Sequence, residues 1–506
     1  MNYVNSFYKF LIGVSLGLSS GLFAVAESNE ELLFTAVQPE LFAAPFAQSN
    51  AWGDFDNDGD LDLLVVFLDR AVRLYENLGV GGFVDIADTL NLPTGGNPRS
   101  VAWADYDSDG DQDIYIAYAD GSTANKLLEN RMESGKVGFE DVATSRGVNF
   151  TGIVRQLNFI DFDNDGDLDL HLALRNAPNL LYENQNSHFK NQASNWGFFE
   201  PRRTVGSCWF DMDEDGDLDV FTANQNGDRD GMYRNDGEYF TDIAIALDMD
   251  QSRRPLTDGG VGCAITDFDN DGDLDLYVAE YGDDSLFRNN GDGSFTDVAK
   301  EVGLAVHDHI VTGVWGDVNN DGLPDLYAVG YVNGKPGMPD YLFINSGSHF
   351  ENRIPENIRL NDSDHGAQMA DYDNDGDLDI SLAANDPAAS HPLYRNDSDL
   401  AGRPSIKVQV LDSNGNYVMQ GSEVRVYRAG TSKLLGTRLV DTGSGYNAQN
   451  AMPVHIATLD SSQVDIRVTT MSTAGRVDHH FMDIDVASLD NRPFIVRIPR
   501  QDLPER

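Results

Sequence analysis

One acidic pattern, Asp-x-Asp-x-Asp-Gly-x-x-Asp, recurs along the chain with first aspartates at Asp54, Asp105, Asp161, Asp211, Asp267, Asp317 and Asp371. The intervals are 51, 56, 50, 56, 50 and 54 residues. A period near fifty restricts the chain to a propeller or a comparable array, in which each unit buries its apolar face only against a neighbour.

Oxygen donors at positions 1, 3, 5 and 9, a backbone carbonyl at position 7 and a turn-making glycine at position 6 are what a hard, oxygen-seeking cation requires. The candidate ligands are Asp54, Asp56, Asp58, Asp60 and Asp62 in the first loop and Asp105, Asp107, Asp109, Asp111 and Asp113 in the second. The third and fourth loops supply Asp161, Asp163, Asp165, Asp167 and Asp169, then Asp211, Asp213, Asp215, Asp217 and Asp219. Asp267, Asp269, Asp271, Asp273 and Asp275 form the fifth, and Asp317, Asn319, Asp321, Leu323 and Asp325 the sixth. Asp371, Asp373, Asp375, Asp377 and Asp379 complete the set. Up to seven calcium ions are expected. Magnesium fits less well because it demands octahedral geometry and keeps its waters. Without metal the carboxylates repel one another and open the loop, so the ions are read as structural. Asn319 leaves the sixth site one charge short and weaker.

Each loop is followed by a strand-like run such as Leu61-Asp62-Leu63-Leu64-Val65-Val66, and two further short strands follow, ending near Phe83, Phe139, Phe189, Phe240, Phe295 and Phe350. Four strands per repeat is the content of one propeller blade. After the seventh loop the phenylalanine strand is missing, whereas Phe34-Thr35-Ala36-Val37 stands unpartnered before the first. The expected fold is therefore all-β: a seven-bladed β-propeller over residues 31–400, closed by the N-terminal strand, which removes an exposed sheet edge. Trp52, Trp103, Phe159, Trp209, Ile265, Trp315 and Met369 occupy one slot two residues before each loop. They read as packing between blades rather than as a sugar-stacking platform.

From residue 403 to about 500 the pattern stops, and Ser405–Val410, Glu423–Tyr427 and Val464–Val468 alternate polar and apolar. These read as antiparallel strands with one wet face in a small β-sandwich-like domain.

With 35 Lys+Arg against 83 Asp+Glu, the formal charge of -48 excludes nucleic acid and anionic membrane surfaces as partners. Residues 1–26 carry a short apolar run, Phe10 to Leu18, and an Ala24-Val25-Ala26 cleavage site, the layout of a secretory signal peptide. A secreted, periplasmic or cell-surface location follows. Cys208 and Cys263, three and four residues before successive loops, are the only cysteines. They form either one disulfide between blades or two separate buried thiols.

In the form GDFDNDGDLDLLV and ITDFDNDGDLDLYVA the repeats resemble the FG-GAP or VCBS repeats of integrin α-chain propellers. Gly421-Ser422-Glu423-Val424-Arg425-Val426 and Gly443-Ser444-Gly445-Tyr446 resemble the ASPIC/UnbV domain. The pairing is similar to the cartilage acidic protein family, and the absence of cysteine-rich segments favours a bacterial-type member. The resemblance implies calcium-binding loops and an adhesion or interaction module without established catalysis.

The loops that lead into each first strand lie opposite the acidic loops and carry Arg99, Arg155, Arg202, Arg203, Arg253, Arg254, His307, His309 and His365. Two readings stand: a ring of guanidinium and imidazole groups for the carboxylates or sulfates of an acidic glycan or extracellular protein, or surface ion pairs with the excess of aspartates. The partner residues under the first reading are Arg99, Arg155, Arg203, Arg254, His309 and His365. An enzyme is the alternative class: a polysaccharide lyase in which arginine neutralises a uronate and His307, His309 or His365 is the base.

Overall fold

The structure, a computed structural model, describes residues 31–132, 138–198, 201–332, 338–359, 364–443 and 445–499. The signal-peptide reading falls on residues 1–26, outside the described residues.

Each repeat forms a four-stranded antiparallel sheet whose strands are neighbours in sequence order. In the first sheet these are Ala47–Gly53, Asp62–Phe67, Arg73–Asn77 and Phe83–Asp85. Five further sheets repeat this plan, and the seventh takes its outer strand from the N-terminal segment. There Phe34–Val37 pairs antiparallel with Leu393–Asn396, Phe34 opposite Asn396, as the orphaned strand predicted. First strands of successive sheets lie side by side, and that of the first sheet, Ala47–Gly53, adjoins that of the seventh, Asp364–Ala370.

Burial explains why the innermost strands tolerate so little polarity: nearly every residue of the first and second strands is buried. Trp52, Trp103 and Trp209 are at most 1% exposed and Trp315 9%, so the repeated aromatic slot is core. Cys208 and Cys263 form a disulfide between the first strands of the fourth and fifth sheets, with Cα atoms 6.0 Å apart.

Successive sheets are also tied through the asparagine that ends each third strand. Its backbone N–H donates to the ninth-position aspartate of its own loop, as Asn184 does to Asp169 at 2.7 Å. Its side-chain amide donates across to the preceding sheet, to the carbonyl of loop position 2. Asn130 reaches Phe55 O at 2.9 Å, Asn184 Tyr106 O at 2.9 Å and Asn235 Phe162 O at 2.8 Å. Asn289, Asn345 and Asn396 repeat the bond, and Asn77 makes it to Tyr372 of the seventh sheet at 2.9 Å.

The C-terminal strands form a three-stranded and a four-stranded sheet that share one apolar core around Val408, Val424, Ile466 and Val496. The structure departs from the sequence expectation in two respects. Ser405–Asp412 pairs antiparallel with Val454–Ala457, as expected, but parallel with Phe494–Ile498 on its other edge. The polar face of Ser405–Asp412 is not wet: all eight residues are buried, because the side of the sheet carrying Lys407 lies against the acidic loops. Repeats and C-terminal sheets lie in one compact unit, Leu32–Arg506.

Replacing Asn184 by alanine strips two buried carbonyls, Tyr106 O and Leu168 O, of their donor. At about 1–3 kcal/mol for each buried group left unpaired, the expected loss is roughly 2–6 kcal/mol in urea unfolding. Loss of under 0.5 kcal/mol would remove the inter-sheet role of this asparagine.

Candidate functional site: acidic loops and an arginine-lined cavity

Seven loops share one geometry. Position 4 adopts left-handed backbone in every copy, φ from 50° at Asn320 to 62° at Glu214, which is why asparagine fills it five times. Position 6 has φ between 90° and 106°, so only glycine sits there without strain. The first aspartate accepts two backbone N–H groups, as Asp54 does from Asp58 and Gly59, both at 3.0 Å. Its counterparts in the other six loops do the same. The ninth-position carboxylates, Asp62 to Asp379, are at most 1% exposed.

These bonds leave other oxygens aimed into the loop without a donor. Asp107 Oδ1, Asp213 Oδ1 and Asp269 Oδ1 at position 3, Asp111 Oδ1 and Asp377 Oδ1 at position 7 and Asp113 Oδ2 at position 9 are buried and unpartnered. Ligand oxygens of Asp54, Asp56 and Asp58 lie within 4.8 Å of one another, as do those of Asp161, Asp163 and Asp169 and of Asp211, Asp213 and Asp219. Such a set fits a divalent cation with carboxylate ligands. Burial, reinforced by neighbouring aspartates, lifts Asp105, Asp163, Asp211, Asp267 and Asp317 to about 7. Asp62 and Asp377 rise to about 9.

The C-terminal sheets bring positive charge onto this acidic face. Lys407 Nζ lies 2.8 Å from Asp371 and donates to Asn374 at 2.5 Å. Arg476 pairs with Asp211 at 3.1 Å, and Arg425 donates to the carbonyl of loop glycine Gly272 at 2.8 Å. Burial pushes Arg438 below its usual value, partly offset by Asp317, Asp267 and Asp325 of the acidic face. Tyr417 N–H donates to Asp105 at 3.1 Å. The sequence signal for this docking is the placing of Lys407, Arg425 and Arg438 inside strands of an otherwise acidic chain.

Between Leu434–Leu439 and Val454–Ala457 a strap runs from the acidic face along the innermost strands. Asn158 donates to Thr442 O and Gly443 O, both at 3.0 Å, and Gly445 exchanges backbone bonds with Cys263 at 2.8 and 3.2 Å. Tyr446 N–H donates to Thr312 at 2.6 Å, and Gln449 Oε1 accepts from Trp103 N–H at 2.7 Å.

Tyr446 thereby reaches the opposite rim, where it lines a cavity of about 670 Å³ with Arg99, Arg155, Arg175, Tyr281 and Tyr331. Its hydroxyl oxygen accepts from Arg99 Nη2 at 2.6 Å, Arg99 Nε at 3.1 Å and Arg155 Nη1 at 3.3 Å. Burial pushes the phenol up, and the two guanidiniums pull it further down, to about 8. Arg155 Nε is buried without a partner. Arg175 donates to Asn226 at 3.0 Å and to Gln225.

Of the six residues expected at the partner face, the structure brings Arg99, Arg155 and His365 together. His365 is fully buried behind Arg99, 3.4 Å from Nη2, and burial, then Arg99 and Arg155, hold it well below its usual value. It is neutral, so it adds no positive charge. Arg203 stands apart, paired with Asp228 at 2.7 Å, and Arg254 is buried against Asp230 at 2.7 Å and Glu280 at 3.4 Å. His309 stacks near Tyr281, ring centres 4.9 Å apart, and His307 pairs with Asp283 at 2.9 Å. Ion pairing thus accounts for part of the basic rim. Arg175 and Tyr446 were not anticipated. Arg175 follows its second strand directly and so sits at the same rim, whereas Tyr446 arrives from a distant segment.

Residues 54–116, 161–222, 211–278, 267–328 and 317–381, more than half of the chain, match the family described as FG-GAP-like repeat. The chain belongs to the FG-GAP-like repeat family. This FG-GAP repeat chain is 25% identical over 520 residues to cartilage acidic protein 1 of Xenopus tropicalis, covering 90% of the chain and 77% of the frog protein. Cartilage acidic protein 1 of Mus musculus is 29% identical over 323 residues, covering 55% of the chain and 48% of the mouse protein. The first of these matches extends past the repeats, so the likeness to the cartilage acidic protein family spans both halves. Among solved structures, BBS1N in complex with ARL6DN aligns at a TM-score of 0.45 and 9% identity, covering 72% of this chain and 97% of that one.

Two outcomes follow for the acidic face. The loop aspartates have folded-state values raised to about 6–9, above the unfolded 3.8. The metal-free fold therefore loses stability as pH rises from about 4 through about 9, where charge is forced on buried groups. In chelator the melting temperature should rise as pH is lowered from 8 to 5. With calcium present it should fall over the same steps, since protons compete with the ion, each site at a hundredfold excess over Kd adding about 2.7 kcal/mol. Parallel pH curves with and without calcium would contradict both. Lys407→Met leaves buried Asp371 without its ammonium and should cost roughly 3–5 kcal/mol in chelator. The loss should be smaller in calcium, as read by urea unfolding.

Proposed function

We propose that this chain is an exported, calcium-stabilised seven-bladed propeller that binds an acidic partner at the arginine-lined cavity. The side-by-side first strands and the Asn77 to Tyr372 bond support a ring closed between first and seventh sheets. Unpartnered buried carboxylate oxygens support calcium in the acidic loops, each ion holding a blade joint and none performing chemistry. The disulfide supports an oxidising compartment, in keeping with the signal-like residues 1–26. The boundaries 31–400 for the propeller and 403–500 for the C-terminal domain follow from where the acidic repeats stop.

One observation carries the binding site. Arg99, Arg155 and Arg175 line a single cavity, and none of them forms an ion pair with a carboxylate among the described residues. In a chain of net charge -48, where the rim arginines Arg202, Arg203 and Arg254 have acidic partners, three guanidiniums in one cavity lined by a single carboxylate, Asp386, leave an excess of positive charge for an anion. Planar, forked donors select carboxylate or sulfate groups, as an acidic glycan or an acidic protein segment would present them.

The Arg155→Gln, Arg175→Gln double variant should lose tenfold or more in affinity for carboxylated or sulfated glycans, measured by calorimetry in calcium. Arg203→Gln, at an already paired position of the same rim, should leave binding unchanged. Equal binding by the double variant and the parent chain would sink the proposal.

A further inference from the structure

The strap places a phenol, rather than a carboxylate or an apolar group, on the floor of the arginine cavity. An apolar side chain would fill the channel equally well. A carboxylate would neutralise Arg99 and Arg155 better, in a chain that carries 83 acidic residues. Three guanidinium N–H groups from two different sheets converge on one phenolic oxygen at 2.6, 3.1 and 3.3 Å. Donors crowded on that oxygen favour its ionised form, because each bond strengthens when the acceptor carries charge. The strap that carries it is pinned on both sides, by the Gly445 bonds to Cys263 and by Asn447 O accepting from Ser100 at 3.1 Å, so the oxygen is held in place.

The same cavity contains what an acid–base reaction on an anion needs. Arg175 and Arg155 stand beside Tyr446 without carboxylate partners. His365 is buried behind Arg99, and His307 lies outside the cavity, paired with Asp283, so neither is placed as the base. No oxidant, nucleophile or redox group is required.

We propose that Tyr446 is the general base of a β-elimination on a 4-linked uronate, with Arg155 and Arg175 neutralising the uronate carboxylate. This rests on the binding reading above and adds chemistry to it. Neutralising the carboxylate acidifies the adjacent C5–H. Tyr446 as phenolate takes that proton. The C5–H electron pair becomes the C4=C5 double bond as the C4–O bond breaks, and the departing oxygen takes up a proton from Tyr446, which returns the phenolate. Atoms and charge balance without a cofactor. The phenol's value of about 8 places it within reach of deprotonation near neutral pH.

Polygalacturonate, alginate, hyaluronan and heparan sulfate serve as probes, with the full chain in calcium. Binding is read by calorimetry and product by ultraviolet absorbance of unsaturated uronate ends. The expected result is that the parent chain binds at least one of them and releases unsaturated ends, at a rate that rises with pH through about 8. Tyr446→Phe should bind the same glycan within threefold and lose product formation by at least a thousandfold. Charged and titratable groups around the phenol are Arg99, Arg155, His365, Tyr281 and Tyr331, with Arg175 and Asp386 lining the same cavity. Binding without unsaturated product from any probe overturns the elimination and leaves the binding reading standing. Equal turnover by parent and Tyr446→Phe overturns the role of the phenol. Absence of binding to all four probes, by a chain with the parent melting temperature, overturns both.

Discussion

Seven buried carboxylates hold this architecture together. Asp62 and its six counterparts are almost fully removed from water, and each accepts the backbone N–H of the asparagine that ends its third strand. That asparagine in turn spans to the loop of the preceding sheet. A charged group so placed is costly unless bonded and counter-charged. The cost makes the joint specific: a loop that does not fold around its oxygens leaves a buried charge unpaired. Blade, loop and neighbouring blade are therefore one cooperative unit, and the metal ion proposed for each loop acts on all three.

Accumulated negative charge on one face explains the placement of the C-terminal sheets. Lys407, Arg425, Arg438 and Arg476 are buried or nearly so against aspartates or carbonyls of the acidic loops. Cations from within the chain thus offset part of the charge on that face. Docking there also launches the strap, since Arg438 and Val440 stand at its start and Tyr446 at its far turn. Two regions that look independent in sequence are joined through the centre of the fold.

Charge asymmetry also sets the character of the opposite rim. Several basic side chains at the opposite rim are consumed by ion pairs, as Arg202, Arg203 and Arg254 are. What remains around the cavity is a small set, Arg99, Arg155 and Arg175, attended by tyrosines and by Asp386, which forms no ion pair with them among the described residues. Electrostatic attraction of an acidic partner to a protein of net charge -48 requires such a protected positive pocket, because the field of the whole molecule repels it.

Periodicity alone determined the repeat count, the strand content and the acidic lining of the loops, since a fifty-residue spacing and an oxygen at every second position are local properties that need no tertiary partner. The displaced Phe34 strand told which sheet lacked an edge, and the Trp52, Trp103 and Trp209 slot told which strand was innermost. Arg99, Arg155 and His365 could be placed on one rim by strand direction. What only the tertiary structure decided was partnership. Whether an arginine is paired depends on aspartates dozens of residues away, so Arg254 and Arg155 are indistinguishable in sequence. Cys208 and Cys263 could be bonded or separate until the distance between two blades was known. Lys407 appeared to face water because the acidic surface that buries it belongs to residues more than thirty positions earlier. Tyr446 came into the cavity from outside the repeats altogether, through a channel that exists only once the sheets have assembled around it.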